Sequence, residues 1–187
     1  MLVISTSCLF LLAPNGSPYF HSLLLTKANL PEPLYYFSGQ FLHTEPKHLF
    51  WNILALAISG TLIEIRSRLF FLSSFVTGIL AVAIWFTLES RFDHYAGLSG
   101  ALNALFVSAI FCLLDFKKLV SKHNLILGLI LVLYLGKIFY ELSTGSTILS
   151  DLEWRTTPGA HLSGMLAGSF VSLIAFMNNH IQKRPLK

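Results

Sequence analysis

Apolar residues fall along this chain in long blocks separated by short polar turns. A helix that crosses a bilayer needs about 20 predominantly apolar residues, within a working range of roughly 17 to 25. Blocks of that kind run from Pro46 to Ile65, Leu69 to Leu88, Leu98 to Leu114, Leu125 to Leu142 and Pro158 to Met177. The first proline stands at the start of its helix, where a missing N–H costs nothing. A further apolar run, Leu2 to Ala13, is short for a span. It predicts a first helix that either begins inside the bilayer or continues, broken, past Pro14-Asn15-Gly16. Between this run and the second span, Pro14 to Lys47 is too polar to cross and unusually aromatic (Tyr35, Tyr36, Phe37, Phe41). Such a stretch suits the headgroup region and predicts an interfacial loop with short helical pieces. The expected fold is an all-α membrane protein of six transmembrane helices, with residues 1–187 forming one domain.

Composition supports that reading. The chain is 54% hydrophobic and 12% charged, against roughly 25% charged residues in soluble domains, and its mean hydropathy is +0.66. The net charge of +4 does not point to nucleic acid, because the basic residues gather at helix ends. Cys8 and Cys112 lie inside apolar runs and imply no disulfide. No zinc-finger spacing and no HExxH string is present, which argues against a metalloprotease, and no metal or cofactor is expected. The N-terminus lacks the basic region of a cleaved secretory signal.

Orientation follows from the asymmetry of Lys and Arg. Arg66, Arg68, Lys117, Lys118, Lys122, Lys183, Arg184 and Lys187 fall on one side of the expected bundle. Lys27, Lys47, Arg91 and Arg155 fall on the other, with Glu32, Glu45, Glu89, Asp93, Asp151 and Glu153. Both termini are therefore expected in the cytoplasm, and Ser99 toward the outer face at the start of a helix running inward.

Polar residues inside spans are costly and are functional candidates by default. Gly97-Leu98-Ser99-Gly100 stands where a polar stretch turns into an apolar helix. A serine at a helix start has backbone N–H groups beside its hydroxyl, an arrangement suited to a nucleophile with its own oxyanion site. Alone, a packing glycine beside a capping serine explains the string better. His161 opens the last span at a similar depth, with Gly164 and Gly168 on the same helical face. Small residues four apart let helix backbones approach closely in lipid, and Gly100, Ala101, Ala104 and Ser108 form a facing small-residue stripe. Close packing there would bring the His161 imidazole to the Ser99 hydroxyl, as a serine–histidine dyad with histidine as general base. His48 and Asn52 lie one turn apart near the outer end of the second span. They can serve as hydrogen-bond donors to an oxyanion or as helix–helix contacts, readings of about equal weight for Asn52. Lys137 and Glu141 are four apart in the outer part of the fifth span. That spacing favours an ion pair over a role in reading substrate.

Three of these strings occur together, in order, in a known family. His48-Leu49-Phe50-Trp51-Asn52 resembles the HxxxN motif of the rhomboid intramembrane serine proteases. Gly97-Leu98-Ser99-Gly100 is similar to their GxSG, and Ala160-His161 with Gly164 and Gly168 to their AHxxGxxxG. Glu64 and Arg66 fall where the family carries an acidic–basic pair, although a plain salt bridge of Glu64 to Arg66 or Arg68 explains them as well. The resemblance implies a six-helix rhomboid-like bundle with a water-filled, outward-facing active-site cavity. It implies Ser99 as nucleophile, His161 as base, and His48, Asn52 and the Ser99 backbone N–H as the oxyanion site. Gly97, Gly100, Asn103, Gly164 and Gly168 would support the site by packing. The segment Gly136 to Glu141, the short six-span form and the His43 to His48 spacing resemble the rhombosortase branch. That branch is associated with substrates bearing a C-terminal Gly-Gly motif, an apolar helix and a basic tail. Two features depart from the wider family. Leu34-Tyr35-Tyr36-Phe37 stands where many members have Trp-Arg, and Asn103 stands where a tyrosine often stacks on the histidine. The second departure implies a base supported by hydrogen bonding instead of stacking.

The expected function is an intramembrane serine endopeptidase in a bacterial inner membrane, with its site toward the periplasm. Its partners would be the lipid bilayer and transmembrane substrates, C-terminally anchored ones above all. Acyl-enzyme chemistry leaves open whether water or an amine takes the acyl group. A non-catalytic relative that binds transmembrane clients for quality control is the alternative. The intact set of serine, histidine and oxyanion donors favours the enzyme. A transporter would call for inverted repeats and more intramembrane charge, which the sequence lacks.

Overall fold

The computed structural model of the protein describes residues 2, 3, 11, 12, 17–30, 32–145 and 157–178. The first apolar run apart from Leu2, Val3, Leu11 and Leu12, with Cys8 inside it, the acidic loop with Asp151, Glu153 and Arg155, and the basic tail lie outside the described residues. The main helices among the described residues are α1 (Pro18–Leu23), α2 (Pro33–Phe41), α3 (Pro46–Ala55), α4 (Arg68–Leu88), α5 (Ser99–Leu113), α6 (Lys122–Thr144) and α7 (Pro158–Met177). Helix α3 runs on through a π-helical turn, Leu56–Gly60, into Thr61–Glu64. Helices α4, α6 and α7 are long and apolar enough to cross a membrane, whereas α5 is shorter. The expected fourth span, Leu98 to Leu114, is thus a helix of 15 residues, held within the protein more than against lipid.

The core is built from α4, α5 and α7. Helix α5 is mostly apolar, and Ala101, Ala104, Leu105 and Ser108 are fully buried. Small residues let its neighbours close on it. A Cβ added at Gly78 of α4 would lie 2.8 Å from the Ala104 Cβ, and one at Gly168 of α7 would lie 2.7 Å from the Ala104 Cα. Below these contacts three buried serines join the helices. Ser108 donates to Ser74 of α4 at 2.9 Å and receives from Ser172 of α7 at 3.3 Å. Each hydroxyl would otherwise be an unpartnered polar group inside the protein.

The aromatic segment ahead of α3 adopts the expected short helices, and two small β ladders join them. Leu11–Leu12 pairs in parallel with Leu42–His43, and Leu25–Thr26 pairs antiparallel with His94–Tyr95. Gln40 of α2 donates to the Ile79 carbonyl of α4 at 2.9 Å. The Lys27 ammonium reaches the Phe86 carbonyl at the C-terminal end of α4, where unpaired carbonyls favour a cation. The Gly39 carbonyl accepts the Gly97 N–H at 3.1 Å. The segment is therefore fastened both to a core helix and to the turn preceding Ser99. At the opposite end of the bundle, Glu64 accepts the Leu2 and Val3 backbone N–H groups at 2.7 and 3.1 Å. Arg68 lies 3.6 Å from the same carboxylate.

Helix α6 is peripheral. Its start is held by Asn124, which accepts the Asp115 N–H at 3.0 Å and donates to the Asp115 carbonyl at 2.9 Å. It ends at Gly145, whose φ of +67° is the left-handed cap conformation that glycine adopts without strain. Between these points Ile126, Leu129, Val132, Leu133, Leu135 and Phe139 point outward. Such a surface belongs against lipid and would be a liability in water.

Candidate active site

Ser99 is the first residue of α5 and is partly exposed. The turn before it needs glycine twice over. Gly97 has φ of +105°, and a Cβ there would meet the His48 imidazole at 2.5 Å. His48, from α3, thus lies directly against the turn that presents Ser99. At Gly100 an added Cβ would lie 2.6 Å from Val82 and 3.1 Å from the Ala160 carbonyl oxygen. A close meeting of α5 with α4 and α7 therefore begins one residue beyond the serine.

His161 enters from α7. Pro158 occupies the first turn of that helix, and Gly159 beside it packs against the Trp85 indole. Gly164, one turn further, lies so close to α5 that its Cβ would be 2.9 Å from the Gly100 carbonyl carbon. With the backbones at this separation, the Ser99 Oγ and His161 Nε2 stand 3.1 Å apart. His161 is 8% exposed. Its other nitrogen, Nδ1, lies 3.2 Å from the Oε2 of Glu141, whose Oε1 receives the Lys137 ammonium at 2.6 Å. The pair that spacing placed together on α6 is thus joined to His161. A signal for this was present in the sequence: the pair sits at the depth of His161 on a helix whose other faces are almost wholly apolar. Asn103 lies elsewhere, donating to the Ser99 backbone carbonyl one turn back in α5. The polar support of His161 comes from Glu141.

His48 and Asn52 are on one side of this arrangement, and His43 organises them. The His43 Nδ1 is 2.9 Å from the Phe41 carbonyl. A carbonyl only accepts, so Nδ1 carries the proton and Nε2 is left as an acceptor. That acceptor lies 2.7 Å from the Asn52 amide nitrogen, which donates to it. The His43 and His48 rings meet edge to face at 4.9 Å. One Asn52 N–H is thereby fixed, and the amide's orientation with it. The sequence offered His43 only as a spacing; its role as a fully buried acceptor depends on the path of the Leu42–His43 strand.

Outside the spans, the segment leading to the site carries a fork of its own. Arg91 donates through Nε and Nη2 to the two Glu89 oxygens at 2.9 and 2.7 Å. The guanidinium holds the Glu89 carboxyl far below its ordinary range, at about 2. Among the described residues no group of His, Cys, Asp and Glu is arranged to hold a metal ion.

Residues 31–178 match the Rhomboid domain family model. No curated protein matches the sequence. With most of its length covered by that match, the chain belongs to the rhomboid family, integral membrane proteins that are generally intramembrane serine proteases, although some members are inactive.

Proposed function

We propose that this protein is an active intramembrane serine protease, with Ser99 as nucleophile and His161 as general base. The single observation that carries the reading is the 3.1 Å approach of the Ser99 Oγ to the His161 Nε2. As Oγ attacks a substrate carbonyl carbon, its proton passes to Nε2. The oxyanion so formed is met by the Ser99 backbone N–H, by His48, which lies against the same turn, and by Asn52, one helical turn further along α3. When the tetrahedral intermediate collapses, Nε2 returns the proton to the leaving amine and an acyl-enzyme remains. Water, or an amine, then takes the acyl group by the reverse steps.

The proposal includes six spans with both termini in the cytoplasm and a wet cavity opening to the periplasm of a bacterial inner membrane. The distribution of Lys and Arg supports this orientation. Substrates are single-span proteins, whose helix must unwind at the site. The polar lining gives the freed backbone groups partners that lipid would not. The resemblance of Gly136 to Glu141 and of the His43 to His48 spacing to rhombosortases supports C-terminal Gly-Gly anchor tails as the substrates.

The test compares membranes from cells carrying the wild-type chain, Ser99→Ala and a deletion. Proteins that keep a C-terminal hydrophobic tail in both mutant strains, but lose it in wild type, are the expected result. A shared Gly-Gly before the retained helix supports the substrate class. Wild-type processing by Ser99→Ala, together with failure in the deletion, overturns the enzyme reading in favour of client binding.

A further inference from the structure

Glu141 is fully buried, on a helix that turns most of its side chains outward. The ion pair with Lys137 does not explain that burial. An i,i+4 pair is satisfied equally well on a wet surface, whereas moving a carboxylate inside a protein is strongly unfavourable before any partner is counted. Lys137 itself stays accessible, with 30% of its side chain exposed. The inward partner is His161, through the carboxylate oxygen that Lys137 leaves free.

That contact fixes the chemistry of the imidazole. A neutral histidine carries its single proton on either Nδ1 or Nε2. An ionised carboxylate can only accept, so its contact with Nδ1 requires the proton there. Nε2 is then a lone pair facing the Ser99 hydroxyl, the state a general base must have before attack. After Nε2 takes the serine proton, the imidazolium keeps its Nδ1–H on the Glu141 carboxylate, and the negative charge offsets the new positive one. Glu141 itself gains no proton, and the one on Nε2 is free to pass to the leaving amine.

We propose that Glu141 is a positioning residue for His161, holding it in the Nδ1–H form, with Lys137 fixing the carboxylate through its other oxygen. The inference rests on the reading of Ser99 and His161 as the reacting pair. It makes the base depend on α6, since the carboxylate reaches the site from this peripheral helix and not from the three that form the core.

Glutamine at 141 separates this role from simple packing. The amide fills the same space, and it can rotate to donate its N–H to Nδ1. The imidazole proton is then moved to Nε2, the wrong nitrogen. If Glu141 served only to fill space or to pair with Lys137, Glu141→Gln would be milder than Glu141→Ala. A role in fixing the tautomer predicts that it is no milder.

The experiment uses the full chain in proteoliposomes and a fluorophosphonate that reacts with activated serine. Labelling rates are compared for wild type, Ser99→Ala, Glu141→Ala and Glu141→Gln, with thermal unfolding measured on each. Histidine ¹⁵N spectra of wild type and Glu141→Gln locate the imidazole proton. The expected result is labelling slowed by about 10²-fold or more in both Glu141 variants, on the scale of general-base contributions. Glu141→Gln should unfold near wild type, and its His161 proton should move from Nδ1 to Nε2. Labelling of Glu141→Gln within about threefold of wild type, or an unmoved proton, overturns the positioning role while Ser99→Ala remains inert. Undiminished labelling of Ser99→Ala instead overturns the protease reading beneath it.

Discussion

Replacing Gly164 by alanine tests whether the spacing of α5 and α7 sets the reactive distance. The new Cβ would stand 2.9 Å from the Gly100 carbonyl carbon, where ordinary contact begins at 3.4 Å. It would also press on the carbonyl oxygen. The obstacle is backbone, which cannot swing aside as a side chain can, so the helices must part by about 0.5 Å or more. Ser99 is adjacent to Gly100, and His161 lies one turn before Gly164, so the separation passes almost directly to the Ser99 Oγ and the His161 Nε2. Their distance of 3.1 Å would grow to about 3.6 Å, beyond the reach of a hydrogen bond. Overpacking of this kind costs about 1–3 kcal/mol of stability, and misplacement of reacting groups by roughly 1 Å lowers rates about 10²-fold. The assay is fluorophosphonate labelling in proteoliposomes alongside thermal unfolding. Leu166→Ala serves as a control on the outward face of the same helix, where the side chain is 59% exposed. Labelling of Gly164→Ala within about twofold of wild type, with unfolding unchanged, would refute the argument that this glycine sets the distance.

Three further outcomes are expected. Gly97→Ala places a side chain at φ of +105° and against the His48 ring; the strain of about 1–3 kcal/mol should appear as a lower unfolding temperature and slower labelling. His43→Phe removes the acceptor for the Asn52 amide and leaves that buried donor unpaired, at a cost of about 1–3 kcal/mol. Substrate turnover should fall with little change in KM. Glu89→Gln should alter the pH dependence of stability. The folded carboxyl is depressed to about 2 from an ordinary 4.5, so its contribution is complete above the higher value and is lost as pH falls through the lower one. For this largely solvent-screened pair the difference between wild type and variant should be at most ~1 kcal/mol at neutral pH. Denaturation curves should converge as pH falls from about 4.5 to about 2.

The helices were legible because their physics is local. Apolar blocks and their breaks set α4, α6 and α7 to within a few residues, and Pro158 marks the start of α7 directly. Small-residue spacing identified the stripe of Gly164 and Gly168 and the facing stripe of α5, since close approach in lipid leaves a trace at every fourth position. The π-helical turn after α3 and the small β ladders leave no comparable trace, for they depend on how distant segments meet. Two polar contacts likewise join segments distant in sequence. Glu141 and Lys137 fit the i,i+4 rule so well that a local explanation sufficed, and the contact with His161 spans 20 positions. His43 acts through a carbonyl two residues back and an amide nine residues on. Which atoms it meets is set by the turn between the strand and α3, which no periodicity describes.

The most direct measurement maps the site of covalent reaction. Wild-type protein in proteoliposomes is treated with a fluorophosphonate and analysed by intact mass and peptide mapping, beside Ser99→Ala, His161→Ala and heat-unfolded wild type. One adduct on Ser99, absent from Ser99→Ala and from the unfolded chain and strongly slowed in His161→Ala, is the predicted result. An adduct that persists in Ser99→Ala, or forms as fast without His161, would contradict the assignment of the nucleophile and its base.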